Sequence, residues 1–292
     1  MPELPEVETV RLGLARLLPG KVIASEAHDW AKGFMGSDED VRQFLIGAKV
    51  LMVKRRAKVL IIELDTKYSL IIHLKMTGQL VYVGKDDRFG AGHPNDSLVG
   101  DLPDKSTRVT FQFTDGSQLF FNDQRKFGWV RLLPTAEVPN IDFFKKFGPE
   151  PLAADFTTRQ FAERLERRKN STVKAALLDQ TVIAGVGNIY ADESLWSAKI
   201  HPQTLIKNIG HRKLNTLFIE LRQVLELSIA KGGSSDKNYV NAEGKRGSYL
   251  SFASVFRREG QPCPRHPDTM ISKIRVARRG THICPKCQKV SN

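Results

Sequence analysis

Apolar positions in the first 130 residues recur mainly with a period of two. After an opening stretch where Val7, Val10, Leu14 and Leu17 keep helical spacing up to Gly20, strand-like runs follow at residues 50–53, 59–64, 69–74, 80–83, 109–113 and 118–121. Turn signals such as Asp115-Gly116 separate several of them, so this half reads as a β-sandwich flanked by helices. Residues 84–106 are polar, rich in Gly, Asp and Pro, and without period; they read as a long surface loop.

From about residue 155 the period becomes helical. Thr157 or Thr158 suits a cap for a helix carrying Phe161 and Leu165, and residues 173–178, 189–196 and 212–230 continue the pattern. Prolines at 134, 139, 149 and 151 mark a linker. The expected layout is therefore α+β and multidomain: a β-sandwich over residues 1–134, a linker over 135–151, a helical domain over 152–250, and a tail over 251–292.

Composition changes little in this picture, and charge changes more. The chain carries 45 Lys and Arg against 32 Asp and Glu, a net +13, which points to a polyanionic partner; nucleic acid, anionic lipid and plain solubility all satisfy charge alone. No apolar run approaches the ~18–20 residues of a membrane span, and the start lacks a signal-peptide layout, so a cytoplasmic, nucleoid-associated protein is expected. Three cysteines, all in the last thirty residues, argue against a disulfide framework.

The chemistry concentrates in short motifs. In MPELPEVETV, trimming of the initiator would leave Pro2 as a free secondary amine beside the carboxylates Glu3 and Glu6. An α-amino group titrates near ~8, so part of it is neutral and nucleophilic at physiological pH. The same residues also suit a plain amphipathic helix start, and a helix packed on a domain would be what fixes Pro2. Arg55-Arg56-Ala57-Lys58 lies between two strands, either as a solvated hairpin or as a phosphate clamp with Lys58 nearest the chemistry. In His73-Leu74-Lys75-Met76-Thr77-Gly78, Met76 is either core or an apolar wedge; in Asp123-Gln124-Arg125-Lys126-Phe127-Gly128, Phe127 taken alone reads as a core anchor. Gly185-Val186-Gly187-Asn188 before a helix offers backbone N–H groups to a phosphate, with Asn188 as cap or added donor. Residues 231–249 have no period and read as a linker or a loop ordered over a ligand. Cys263-Pro-Arg-His266 and Cys284-Pro-Lys-Cys287, with 17 residues between them, suit one tetrahedral Cys₃His zinc site.

In order and spacing, PELPEVET, the RRAK hairpin, HLKMTG, DQRKFG, LLDQ…AGVGNIYADE and RRGTHICPKCQ resemble bacterial formamidopyrimidine-DNA glycosylases from end to end. The resemblance implies a helix-two-turn-helix domain in the second half, with a lesion-capping loop near 236–249, a β-hairpin zinc finger, and DNA in the cleft between the halves. By position, Pro2 matches the nucleophile that forms an imine with the sugar, Glu3 the proton donor that opens the sugar ring, and Glu6 a contact to the everted base. Lys58, the residue of the clamp nearest the chemistry, and His73, Asn188 and Arg279 match phosphate-gripping residues, while Met76, Arg125 and Phe127 match the trio that fills the vacated space. The implied activity is a base-excision repair glycosylase and AP lyase acting on 8-oxoguanine and formamidopyrimidines, followed by β,δ-elimination. The implied partner is double-stranded DNA carrying oxidised bases or abasic sites, bound by a monomer with one structural zinc ion. His266 departs from the usual cysteine. An endonuclease VIII-like enzyme for oxidised pyrimidines and a non-catalytic damage-binding protein are the alternatives.

Overall fold

A computed structural model describes residues 2–93, 95–234 and 249–290. The chain forms two compact units: one runs to Lys145 and takes up a segment beginning at Lys231, and the other holds Lys146–Ala230 with the tail from Tyr249.

In the first unit, α1 (Leu4–Leu17) begins at a reciprocal capping box between Glu3 and Glu6, carries Pro5 in its first turn, and stops before Gly20 at φ +87°. Its buried face, with Val7, Val10 and Leu14, packs into the sandwich core. The strands are β1 (Ile23–His28), β2 (Phe34–Met35), β3 (Val50–Arg56), β4 (Val59–Leu64), β5 (Tyr68–His73), β6 (Gly78–Val83), β7 (Arg88–Gly92), β8 (Thr107–Phe113), β9 (Gln118–Asp123) and β10 (Trp129–Pro134), with short helices α2 (Asp38–Asp40) and α3 (Asp142–Lys146). They form two five-stranded sheets ordered β1-β8-β9-β6-β7 and β2-β10-β5-β4-β3. Leu60, Ile62, Leu70 and Ile72 from one sheet and Leu80, Val109, Phe111 and Phe121 from the other fill the space between them.

Residues 84–106 are not simply a loop. Residues 88–92 pair with β6, and Leu98 folds over the outer face of that sheet onto Val81 and Phe120. The glycines of RFGAG hide this strand from a period-two search, because β-branched side chains are absent where a strand normally shows them. β1 is hidden for a different reason: as an edge strand with mostly exposed side chains, it carries little hydrophobic signal.

The second unit contains α4 (Thr158–Glu166), capped by Thr157, then α5 (Val173–Leu178), α6 (Asn188–Ser197), α7 (His211–Ala230) and α8 (Tyr249–Phe252). Phe161, Leu177, Tyr190, Leu195, Leu217, Phe218 and Leu221 form their shared core. The tail adds two hairpins, β11 (Pro262–Cys263) with β12 (His266–Met270) and β13 (Ser272–Val276) with β14 (Arg279–Ile283). Among the described residues no helix is long and apolar enough to cross a membrane.

Candidate active site and metal centre

The start of α1 combines the two sequence readings. Pro2 and Glu3 are buried, and Glu3 is both the helix cap and the residue next to the candidate nucleophile. Glu6 is held through both oxygens: Oε2 accepts the Glu3 N–H at 2.8 Å and Oε1 accepts the Ser234 N–H at 2.7 Å. Gly233, at φ +87°, is close enough that an added Cβ would lie 3.3 Å from the Glu6 side chain. Of the expected capping loop beyond it, 236–249, residues 236–248 lie outside the described residues.

The Arg55–Lys58 motif does not present a row of free cations. Arg55 turns back to donate to Glu8 at 2.8 Å and to the Ala57 carbonyl at 2.8 Å, tying the hairpin to α1. Burial alone would raise the Glu8 carboxyl, but hydrogen bonds from Arg11 and Arg55 outweigh it and hold the group below the usual range. Ala57 takes φ +53° to close the turn, and Lys58 is 8% exposed. Because Val59 pairs with His73 in the β4–β5 register, the turn sets Lys58 beside His73.

Burial first, then the charges of Lys75 and Lys58, push His73 down to about 3. Its Nδ1 accepts the Lys75 N–H at 3.0 Å, so the proton of the neutral ring sits on Nε2 and His73 is a neutral donor. A histidine whose folded pKa is depressed stabilises nothing by charging. Below its unfolded value of ~6.5 the unfolded chain takes up a proton that the folded chain refuses. Wild type should therefore lose stability relative to His73→Gln as pH falls from ~6.5 towards 4, in urea melts recorded at each pH. Parallel pH profiles would contradict the assignment.

Met76, Arg125 and Phe127 are brought together at one corner of the sandwich. β5 leads to β6 and β9 leads to β10 by crossing from one sheet to the other, and the register pairs Gly78 with Asp123 and His73 with Trp129. Asp123, fully buried, organises both crossings. It accepts from the Thr77 hydroxyl, from the N–H of Phe127 at 2.8 Å, and from the N–H of Gly128 at 2.6 Å. Gly128 must be glycine: a Cβ there would lie 2.6 Å from the Phe121 ring and 3.0 Å from the His73 carbonyl. Gly78 is equally constrained, with the Leu74 carbonyl oxygen 2.3 Å from a built Cβ. The tip that results is not core. Phe127 is 52% exposed with the Arg125 guanidinium 4.6 Å over its ring, which corrects the core-anchor reading of Phe127, and Met76 is half-buried. His93, which lies outside every motif of the sequence, is anchored here through its N–H to the Gly78 carbonyl at 3.0 Å, and burial holds its ring below the usual histidine range.

In the second unit, Gly187 caps α6, and Asn188 is its first residue rather than its cap. The Asn188 side chain instead donates to the Gly280 carbonyl at 3.0 Å, next to the exposed Arg279. Ala277 and Arg278, at φ +49° and +60°, form the tight turn that presents Arg279. Beneath this pair lies an ion pair that no motif announced. Lys174 donates to Asp192 at 2.5 Å and to the Thr281 hydroxyl at 2.6 Å, while the other Asp192 oxygen accepts the His282 N–H at 2.9 Å. Glu193 likewise accepts three backbone N–H groups, from Ser254, Val255 and Phe256. α6 is thus bonded to the tail along its length.

Cys263, His266, Cys284 and Cys287 place their ligand atoms within 4.8 Å of one another. The Cys263 and Cys287 sulfurs are 3.7 Å apart, against about 3.8 Å for the edge of a tetrahedron with Zn–S bonds of ~2.3 Å. His266 turns Nδ1 to 3.2 Å from the Cys287 sulfur. Burial, and then Cys284 and Cys263, push the Cys287 thiol up to about 12, a cost of crowding sulfurs that a divalent cation reverses. Gln288 locks the second knuckle to the helices: its Oε1 accepts the Cys284 N–H at 3.0 Å and its Nε2 donates to the Ile200 carbonyl at 2.9 Å. The donor set fits a tetrahedral metal.

Comparison with known proteins agrees with this geometry. Residues 1–130 match the formamidopyrimidine-DNA glycosylase N-terminal domain and residues 147–239 the formamidopyrimidine-DNA glycosylase H2TH domain. The chain is similar to the formamidopyrimidine-DNA glycosylase of Chloroflexus aurantiacus, with 43% identity over 99% of this chain and 98% of the relative. It is also similar to that of Latilactobacillus sakei, with 38% identity over 99% and 98%. A solved complex between Lactococcus lactis Fpg and abasic-site DNA superposes with a TM-score of 0.86 at 35% identity, covering 98% of this chain and 99% of that one. A Lactococcus lactis mutant bound to Fapy-dG DNA gives the same score and identity over 99% and 100%. On matched domains, full-length identity and shared fold together, the chain belongs to the formamidopyrimidine-DNA glycosylase family.

Proposed function

We propose that this protein removes 8-oxoguanine and formamidopyrimidines from duplex DNA and then cleaves the strand. The observation that carries this reading is the buried capping-box start of α1, which holds Pro2 and Glu3 in fixed geometry in a chain of this family. The Pro2 amine attacks C1′ of the damaged nucleoside as the glycosidic bond breaks, and its N–H proton passes to the departing base. Glu3 then donates a proton to the sugar ring oxygen as the C1′–O4′ bond breaks, the nitrogen lone pair leaving an iminium (protonated imine) between Pro2 and C1′. The imine acidifies the C2′ proton, whose loss expels one phosphate, and a second elimination expels the other.

Lys58 is assigned with Pro2 and Glu3 to the catalytic groups and holds a phosphate beside them. Neutral His73, Asn188 and Arg279 grip further phosphates, and Glu6 lies against the everted base. Met76, Arg125 and Phe127 fill the space it leaves; an exposed aromatic under a guanidinium is suited to stacking between bases. The Fapy-dG and abasic-site DNA of the similar Lactococcus lactis complexes support the formamidopyrimidine and strand-cleavage parts of this reading, and 8-oxoguanine follows from the motif resemblance. Borohydride should trap one covalent protein–DNA adduct on an 8-oxoguanine duplex, and absence of an adduct with correctly processed protein would refute the imine route.

Cys263, His266, Cys284 and Cys287 would hold one zinc ion, which supplies rigidity to the tail and no chemistry to the reaction. Metal analysis should find about one equivalent of zinc per chain. Chelation should unfold the tail and weaken duplex binding, measured by circular dichroism and fluorescence anisotropy. Less than about half an equivalent with DNA binding intact would remove the structural ion from the account.

A further inference from the structure

The C-terminal end of α6 meets the metal ligands through one side chain that no ordinary hydrogen bond accounts for. Trp196 is 7% exposed and packs with Val255, Ile271 and the ligands Cys263 and Cys284. Its indole Nε1–H is buried, and no acceptor among the described residues meets strict hydrogen-bond geometry with it. A buried indole N–H of this kind normally has a partner, because leaving it without one forfeits its hydration with nothing in exchange.

The acceptor within its reach is the Cys263 sulfur, which shares its packed cluster and towards which the Trp196 indole and the Arg265 and His266 N–H groups are turned. Sulfur accepts hydrogen bonds weakly as a thiol and better as a thiolate, so the indole matches the ligand form of Cys263. The ring is also fixed by a stacked guanidinium. Arg265, which lies between two of the ligands in sequence, stacks its guanidinium 3.9 Å from the Trp196 ring centroid. It donates to the Trp196 carbonyl at 2.8 Å and to the Ser197 carbonyl at 3.1 Å, closing the end of α6.

We propose that Trp196 is an outer-shell hydrogen-bond donor to the metal-bound Cys263 thiolate, held in orientation by Arg265, so that the metal centre is bonded directly to α6. The proposal rests on the metal-binding reading of the four ligands. It makes α6 a strut, with Asn188 at its first residue and the metal's outer shell at its last turn. Outer-shell partners of this kind tune ligand basicity and metal affinity, typically by 10–100-fold.

The test uses the full chain loaded with cadmium-113 and labelled with nitrogen-15 at tryptophan, which gives three indole signals, from Trp30, Trp129 and Trp196. The expected result is that one indole proton, missing in Trp196→Phe or identified by elimination with Trp30→Phe and Trp129→Phe, shows a through-hydrogen-bond coupling to cadmium. The same proton should shift when the metal is stripped. Trp196→Phe should still bind one equivalent of zinc but release it to a chelator about tenfold faster. One bound equivalent with no coupling and no shift at that proton overturns the proposal and leaves the metal site standing, as does an unchanged release rate in a folded Trp196→Phe. Failure of the wild type to take up either metal overturns both.

Discussion

Changing Pro2 to glycine is expected to cut borohydride trapping on an 8-oxoguanine duplex by on the order of 100-fold, while duplex affinity stays within about threefold. Glycine keeps an amine at the terminus, but a primary amine on a freely rotating carbon replaces the secondary amine of a rigid ring, so the nucleophile loses chiefly its aim. On the proposed reading, affinity depends mainly on phosphate contacts made elsewhere. Glu3→Gln separates the second role: glutamine can still accept the N–H that the capping box needs, so α1 should persist while base excision falls by ~10²–10⁴-fold. Single-turnover excision, trapping yield and anisotropy measured together decide the matter. Equal losses of trapping and binding in Pro2→Gly would mean that the residue serves folding and not catalysis.

Asp192→Ala is expected to be the most destabilising substitution in the second unit, by about 3–5 kcal/mol. Lys174 and Asp192 are both fully buried, and removing the carboxylate leaves an ammonium in an apolar interior with the Thr281 hydroxyl as its other named partner. It also strips the acceptor from the His282 N–H, so β14 keeps only the Asn188–Gly280 bond of the two named ties to α6. The double variant Lys174→Met with Asp192→Leu should cost less than half as much, because no charge remains to be solvated. Urea melts of the single and double variants give the comparison; a double variant as unstable as the single would locate the cost in packing. The loss should reach function as well, since Asn188 and Arg279 are held by the same hairpin.

The start of α1 and the Lys174–Asp192 pair are unequally legible in residue order. Pro2, Glu3 and Glu6 sit within five positions of each other, and the capping box is a local rule, so the start of α1 was legible before any fold was known. The same holds for β4 and α5, whose bounds match the expected runs, and for the Cys and His spacing that the fold gathers within 4.8 Å. Lys174 and Asp192 belong to separate helices and meet only when α5 packs on α6. No spacing rule connects them.

The N-terminal motifs show the same division. HLKMTG and DQRKFG each signal a turn, yet what makes them neighbours is strand register, which pairs Gly78 with Asp123 and His73 with Trp129. Register depends on which face of each strand is buried, a property of two sheets and not of one segment. It also decides the exposure of Phe127, since an aromatic after two cations suits a core and a solvent-facing tip equally until its strands are placed.

By itself, then, the order of residues determined the period of each half, the cap on α1, the two metal knuckles and the list of chemically capable side chains, because each depends on contacts within a few positions. Tertiary structure alone decided that Lys58 lies beside a neutral His73, that Arg55 turns inward to Glu8, and that α6 is bonded to the tail from Asn188 to Trp196. Those outcomes depend on burial and pairing between segments tens of residues apart, where dielectric, register and packing are set by the whole fold.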